Sequence, residues 1–117
     1  MRDLTGIVTV LNTPFTVDDR IDLDALAAHV GYALEAGVAG FLVPAMASEV
    51  GKLTPAERDA ILQEVIRTVD GRAAVIGGAS AADRESRCAL ATRATALGCD
   101  GVLASIPYVD EAQYAAE

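Results

Sequence analysis

The residues best suited to chemistry are concentrated in segment 44–53, which follows an apolar stretch and precedes a strong helix start. The segment contains Glu49 and, at Lys52, the only lysine of the sequence. A lysine amine attacks carbonyl carbons well only when burial or a neighbouring cation lowers its pKa. Lys52 stands two residues before a predicted helix cap, in a loop that should face water beside Glu49. We therefore predict that Lys52 is a solvated cation and not a nucleophile.

The other candidate side chains favour structural roles. His29, the only histidine, falls in the middle of a predicted helix, and no serine, cysteine or carboxylate can be paired with it from spacing. Cys88 and Cys99 follow no C-x-x-C spacing, so we expect small buried thiols. Because so few ligands are available, we predict no metal site.

A glycine pair is the nearest approach to a phosphate-binding loop. Residues 77–80 read Gly-Gly-Ala-Ser after an apolar stretch, but the lysine of a Walker loop is missing and no G-x-G-x-x-G follows the first apolar stretch. We interpret 77–80 as a tight turn that leads into a helix, with Ser80 as the N-cap.

Composition excludes several classes of partner. The chain has 117 residues, a net charge of -8 and 52% hydrophobic residues, which describes one acidic domain with a core. Nucleic acids and anionic membrane surfaces are excluded as partners because no basic stripe exists. No apolar run reaches the roughly 20 residues that span a bilayer, and the N-terminus lacks the plan of a signal peptide, so we predict a cytoplasmic protein.

Four apolar runs, each bounded by turn residues, must position these groups. They show no apolar/polar alternation, which is typical of parallel strands buried on both faces. The runs cover residues 7–11, 40–43, 73–76 and 101–104.

Segments of helical period separate the runs. The first helix should begin after the N-cap Asp22 and stop at Gly37. The second is announced by Thr54-Pro55-Ala56-Glu57, a capping box with proline at the first helical position. A third should cover about 82–97, and a fourth should start at Asp110.

The resulting order, β-α-β-α-β-α-β and a further helix start, predicts a parallel sheet with right-handed crossovers. Segment 37–43 is echoed 61 positions later by 98–104, so a βαβα unit is used twice. Repeated units of this kind suit a TIM barrel, which needs eight units and about 250 residues. We predict an α/β fold in which residues 1–117 form one domain with about four of the eight (βα) units, a half barrel. A doubly wound sheet is the structural competitor.

The order and spacing of these motifs resemble the dihydrodipicolinate synthase and N-acetylneuraminate lyase family along the whole chain. The matching positions are Gly6, Thr13-Pro14-Phe15, Asp22-Leu23, Glu35 to Val38, Leu53 to Arg58, Val75 to Gly78 and Pro107-Tyr108.

The resemblance implies a TIM-barrel lyase of the aldolase type, usually a homotetramer. Such enzymes form a Schiff base between a lysine and pyruvate or a related 2-oxo acid and need no metal or other cofactor, because the iminium itself withdraws electrons. The expected partners are therefore a small-molecule 2-oxo acid and further copies of the chain. The family carries its lysine on the sixth strand, beyond residue 117.

The resemblance also assigns residues to the second loop. The family reads Gly, Thr or Ser, Thr, Gly, Glu where this chain has Ala45 to Glu49. We predict substrate binding by Met46, Ala47 and Ser48, through the backbone N–H groups of Ala47 and Ser48 and the Ser48 hydroxyl. Glu49 is expected to hold the loop by accepting backbone hydrogen bonds.

One catalytic candidate follows the fourth strand. The family often has proline and two tyrosines there, and the second tyrosine belongs to a proton relay; this chain has Pro107, Tyr108 and Val109. Tyr108 is thus the catalytic candidate, although we expect it to pack at a subunit interface.

Two hypotheses follow. The chain is the N-terminal half of a Schiff-base lyase, or it is a non-catalytic half barrel whose copies associate to cover their open edges. The altered second loop predicts a substrate other than that of the synthase proper.

Overall fold

The computed structural model describes residues 3–117 and confirms the alternation of strands and helices. Met1 and Arg2, on which the signal-peptide argument partly rests, lie outside the described residues. Two short 3-10 helices, Met46–Ser48 and Val50–Lys52, follow the second strand. The elements are β1 (Val8–Val10), α1 (Leu23–Glu35), β2 (Gly40–Val43), α2 (Pro55–Val69), β3 (Ala74–Gly78), α3 (Arg84–Leu97), β4 (Gly101–Leu103) and α4 (Glu111–Ala116).

The four strands form one parallel sheet in the order β1-β2-β3-β4. Each strand therefore pairs with the next strand along the chain, as a (βα) barrel requires. In register, Phe41 lies between Thr9 and Val75, and Gly77 lies between Val43 and Val102. The predicted parallel (βα) units are thus confirmed as an α/β fold.

The two faces of the sheet differ in burial. Phe41, Val43 and Val75 lie on the outer face and are buried beneath the helices. Val8, Val10 and Leu103 point to the inner face by the alternation of side chains along a strand, and they are exposed to 37%, 38% and 50%. The core is therefore a layer between sheet and helices. It contains Leu26, Val30, Phe41, Ile61 and Val65, each fully buried.

The helix starts at Asp22, Thr54 and Asp110 are confirmed. The Asp22 carboxylate accepts the Ala25 N–H at 2.9 Å, and the Asp110 carboxylate accepts the Gln113 N–H at 2.8 Å. In the capping box, Glu57 N–H donates to Thr54 Oγ1 at 3.1 Å, and Thr54 N–H donates to the Glu57 carboxylate at 2.9 Å. These caps satisfy N–H groups that no helical carbonyl can reach.

The predicted N-cap at Ser80 is wrong, because α3 begins later, with Asp83 as its cap. The Asp83 carboxylate accepts both the N–H of Ser86, at 2.7 Å, and its hydroxyl, at 2.8 Å. Those bonds hold the pKa of the Asp83 carboxyl below its usual value. The physical reason is the length of β3, which continues through Gly78 and leaves residues 79–83 to make the turn.

The glycine pair is part of β3, so the predicted tight turn does not begin at residue 77. A Cβ atom at Gly78 would lie 1.8 Å from the Pro44 carbonyl oxygen, and one at Gly77 would lie 2.7 Å from the Ala94 Cβ. Glycine at both positions therefore allows the backbone of β3 to approach its neighbours closely.

The prediction of two buried thiols holds only in part. Cys99 is half-buried against the core, where burial first and the Asp100 charge second raise its pKa to about 11. Cys88 is exposed. It lies one position past the buried Arg87 and therefore off the stripe of α3 that reaches Ala94.

Candidate functional site

A cleft of about 550 Å³ lies at the carboxyl ends of β2, β3 and β4. Its wall is mostly apolar, and its polar groups come from the loops that follow these strands. The lining residues on the second loop include Pro44, Ala45, Met46 and Glu49, and those on the opposite side are Gly78, Ser80, Leu103 and Ser105.

Ser48 holds the second loop against the end of β1. The residue is fully buried, and its hydroxyl donates to the Leu11 carbonyl oxygen and accepts the Ala45 N–H at 3.1 Å. The Ser48 carbonyl oxygen in turn accepts the hydroxyl of buried Thr13 at 2.6 Å. Sequence reasoning placed Ser48 in the loop but missed this network, because its partners lie 35 and 37 positions away.

The three residues predicted to bind substrate occupy different surroundings. Met46 lines the cleft with a side chain that is 92% exposed, whereas Ala47 and Ser48 are not among the lining residues. The Ser48 N–H donates to the Ala45 carbonyl oxygen at 3.0 Å. Both the hydroxyl and the N–H of Ser48 are therefore engaged within the chain, and substrate binding by Met46, Ala47 and Ser48 stays a prediction.

Lys52 and Glu49 form an ion pair at the rim of the cleft, with 3.0 Å between Lys52 Nζ and a Glu49 carboxylate oxygen. The Lys52 side chain is 76% exposed, so the predicted solvated cation is confirmed. The prediction that Glu49 holds the loop by accepting backbone hydrogen bonds is wrong. Glu49 adopts a left-handed backbone conformation (φ 57°), its side chain makes no capping bond, and its carboxylate accepts a hydrogen bond from Lys52 instead. Loop-holding bonds come instead from Ser48 and from Arg58, whose guanidinium donates to the Val50 carbonyl oxygen at 3.1 Å.

The opposite side of the cleft is closed by a link between two loops. The backbone N–H of Ser105, after β4, donates to the Ser80 hydroxyl oxygen at 2.9 Å. The sequence does not indicate this contact, because Ser80 and Ser105 lie 25 positions apart.

Comparison with known proteins assigns the chain to a family. The family model described as the dihydrodipicolinate synthetase family matches residues 3–115. The chain belongs to this family. The resemblance inferred from the sequence is therefore confirmed.

Individual members of the dihydrodipicolinate synthetase family align over most of the chain. The 4-hydroxy-tetrahydrodipicolinate synthase of Moorella thermoacetica is 36% identical over 87% of this chain and 35% of the relative. The synthase of Staphylococcus saprophyticus is 34% identical over 91% of this chain and 36% of the relative. The chain thus spans about a third of the length of these relatives.

Solved structures in the family share the fold. A dihydrodipicolinate synthase from Bacillus anthracis superimposes with a TM-score of 0.87 at 30% identity, over 95% of this chain and 38% of that one. The synthase from Thermotoga maritima gives a TM-score of 0.84 at 33% identity, over 89% of this chain and 35% of that one.

Tyr108 and His29 are not among the residues that line the cleft. Tyr108 is 68% exposed, and its ring centroid is 5.8 Å from that of Tyr114. Neither a catalytic nor an interface role for Tyr108 is tested by this arrangement, and both stay predictions. His29 is exposed on α1, which agrees with the expectation of a surface or partly buried histidine.

Metal-ligand clusters and membrane-spanning helices are both absent from residues 3–117. In that range no three His, Cys, Asp or Glu residues come together as a metal ion would require. None of the helices there has the length and apolar character needed to cross a membrane.

Proposed function

We propose that residues 1–117 form the N-terminal part of a TIM-barrel lyase of the aldolase type, acting on pyruvate or a related 2-oxo acid. The observation that carries the proposal is the cleft at the carboxyl ends of β2, β3 and β4, because active sites of TIM barrels lie at that end of the strands. Membership in a family whose curated relatives are synthases supports it.

The proposed chemistry divides between this chain and the rest of the barrel. A lysine supplied by the remaining units forms the Schiff base, and the resulting iminium makes the neighbouring carbon a nucleophile without a metal. Met46, Ala47 and Ser48 contribute the loop that receives the substrate carboxylate. Tyr108 is the remaining candidate for a proton-transfer role, and Val109 supplies no hydroxyl beside it.

The proposed setting follows from the same family. The working protein is a homo-oligomer in the cytoplasm, binds a small 2-oxo acid and takes no cofactor and no nucleic acid. Met46 replaces a hydroxyl-bearing residue of the family motif, so we expect a substrate other than that of the synthase proper.

Borohydride trapping tests the proposal. This chain is joined to the remaining (βα) units of the Moorella thermoacetica synthase, incubated with pyruvate and reduced, and the adduct is located by mass spectrometry. We expect labelling of one lysine in the added units and none in the 117-residue protein alone. A folded chimera without an adduct would contradict the proposal.

A matched variant separates the two possible lysines. Lys52→Arg in the chimera should label as fully as the parent, because Lys52 is a solvated cation paired with Glu49. A stoichiometric adduct at Lys52 would overturn that assignment.

A second candidate function is favoured by the open inner face of the sheet. Val8, Val10 and Leu103 leave an apolar surface there, and β1 and β4 are edge strands. Pairing of two copies edge to edge into an eight-stranded ring would cover the apolar inner face and give each edge strand a partner.

Light scattering decides between a dimer and other states of the 117-residue protein. If the second candidate holds, the protein is a monodisperse dimer, Val10→Asp dissociates it, and the control Val17→Asp, in a fully exposed loop position, does not. A monomer or polydisperse aggregates would exclude it.

A further inference from the structure

Ala45 and Met46, in the first half of the turn 45–48, line the cleft, yet the side chains of the turn provide little to hold it. Ala45 and Ala47 carry only methyl groups, and the Met46 side chain is 92% exposed, so packing of Met46 cannot fix the turn. Ser48 is the one residue of the turn with a hydrogen-bonding side chain, and it is fully buried. The position of the wall therefore depends on what Ser48 contacts.

The Ser48 hydroxyl connects the two ends of the turn to each other and to the residue that follows β1. It accepts the N–H of Ala45, the residue that opens the turn, at 3.1 Å, and it donates to the carbonyl oxygen of Leu11, just after β1. Only a group that both donates and accepts can make these two bonds, and a hydroxyl is the smallest side chain that does so.

We propose that Ser48 is a positioning residue, whose hydroxyl fixes the turn against the end of β1 and so places Met46 on the cleft wall as a specificity-determining side chain. This rests on the proposed function as far as the substrate is concerned. The structural part, that one hydroxyl orients the turn, does not depend on any activity.

The Thr13 hydroxyl offers a matched comparison. It donates to the Ser48 carbonyl oxygen at 2.6 Å and is also buried, but it makes no bond to Ala45. Thr13→Val therefore removes a buried hydrogen bond from the same place while leaving the acceptor for the Ala45 N–H intact.

Amide hydrogen exchange of the ¹⁵N-labelled 117-residue protein tests the structural part. In the unmodified chain, the Ala45 amide should be protected. Ser48→Ala should speed its exchange at least tenfold and shift the methyl signal of Met46, while the amides of β3 keep their rates. Thr13→Val should leave the Ala45 amide protected.

Three results would overturn the proposal: an unprotected Ala45 amide in the unmodified protein, equal exchange with and without the hydroxyl, or an increase shared equally by the β3 amides. If Ser48→Ala does not fold, the unmodified protein and Ser48→Cys, whose thiol is a weaker donor and acceptor, are compared in the same way. An Ala45 amide as protected in Ser48→Cys as in the unmodified protein would then overturn it.

The specificity part is tested in the chimera described above. Met46→Thr should change the ratio of kcat/KM values for pyruvate and a 2-oxo acid with a longer apolar chain at least tenfold, and Ser48→Ala should raise KM more than it lowers kcat. An unchanged ratio overturns the role of Met46. A chimera without a Schiff base contradicts the proposed function, whereas the exchange result still decides the role of Ser48.

Discussion

Single atoms decide where this backbone tolerates a side chain. Gly78 faces the Pro44 carbonyl oxygen, which a Cβ would approach to 1.8 Å, and this oxygen belongs to the backbone, which cannot turn aside as a flexible side chain can. The contact joins β3 to the start of the second loop, so it also shapes the cleft.

We predict that Gly78→Ala lowers the free energy of unfolding by roughly 1–3 kcal/mol or more, because the added methyl overpacks a backbone contact. Urea denaturation followed by circular dichroism measures the change. Gly51→Ala is the control, since nothing lies within 4 Å of a Cβ there, and it should change stability by less. Equal effects of the two substitutions would contradict the assigned close approach.

The two thiols should differ in their pH dependence. Burial and Asp100 raise the pKa of Cys99 from 9.0 to about 11, whereas Cys88 is exposed. We predict that iodoacetamide labels Cys88 first at pH 8, and that Cys99 labelling keeps rising toward pH 11. Mass spectrometry of Cys88→Ser and Cys99→Ser variants distinguishes the sites. Faster labelling of Cys99 at pH 8 would show that its burial is wrong.

The same raised pKa affects stability. A group whose pKa is higher in the folded than in the unfolded protein binds its proton more tightly when folded. The contribution of Cys99 is therefore fully present below about pH 9 and is lost as the pH rises toward 11. In Cys99→Ser, the free energy of unfolding, measured by urea denaturation at a series of pH values, should fall less steeply between pH 9 and pH 11 than in the unmodified protein.

At the scale of elements, each helix N-cap makes its own contribution to the free energy of unfolding. In α2, Thr54 and Glu57 exchange two hydrogen bonds across the first turn. We predict that Thr54→Ala lowers the free energy of unfolding by about 1 kcal/mol, which is typical for loss of an N-cap. Thr95→Ala, within α3, should cost less or even stabilise, because the Thr95 hydroxyl only bonds back to Ala91. Equal losses in the two variants would argue against the capping box.

Sequence reasoning predicted the elements where local chemistry decides and failed where distant pairing decides. The caps at Asp22, Thr54 and Asp110 depend on residues within one turn, so their patterns are visible in the sequence. Ser80 is also a residue type that favours the N-cap position. Pairing of Gly78 with Leu103, however, extends β3, so the helix starts later and Asp83 is its cap.

The same distinction explains the candidate site. The residue types and the family pattern of loop 44–53 are visible in the sequence itself. The burial of Ser48, however, depends on Leu11 and Thr13, which lie more than thirty positions away along the chain. Hydrogen bonds of that kind leave no local spacing to detect, so the role of Ser48 could be assigned only from the structure.

At the scale of the whole molecule, the sheet is protected unequally. β2 and β3 are paired on both sides, whereas β1 and β4 are edges. In a monomeric 117-residue protein, we predict that the amides of β3 exchange most slowly and those of β4 much faster, as local opening begins at the edges. Hydrogen exchange by NMR measures both. Protection of β4 equal to that of β3 would mean that another strand pairs with it.

The strand order has a consequence for how the protein is made. Because the order in space is the order in the chain, β2, β3 and β4 each meet a partner strand that was synthesised just before them. Entropy lost in closing long loops is kept small, which favours rapid folding. A chain of this design can acquire its sheet progressively as it leaves the ribosome, one unit at a time, beginning with β1 and β2.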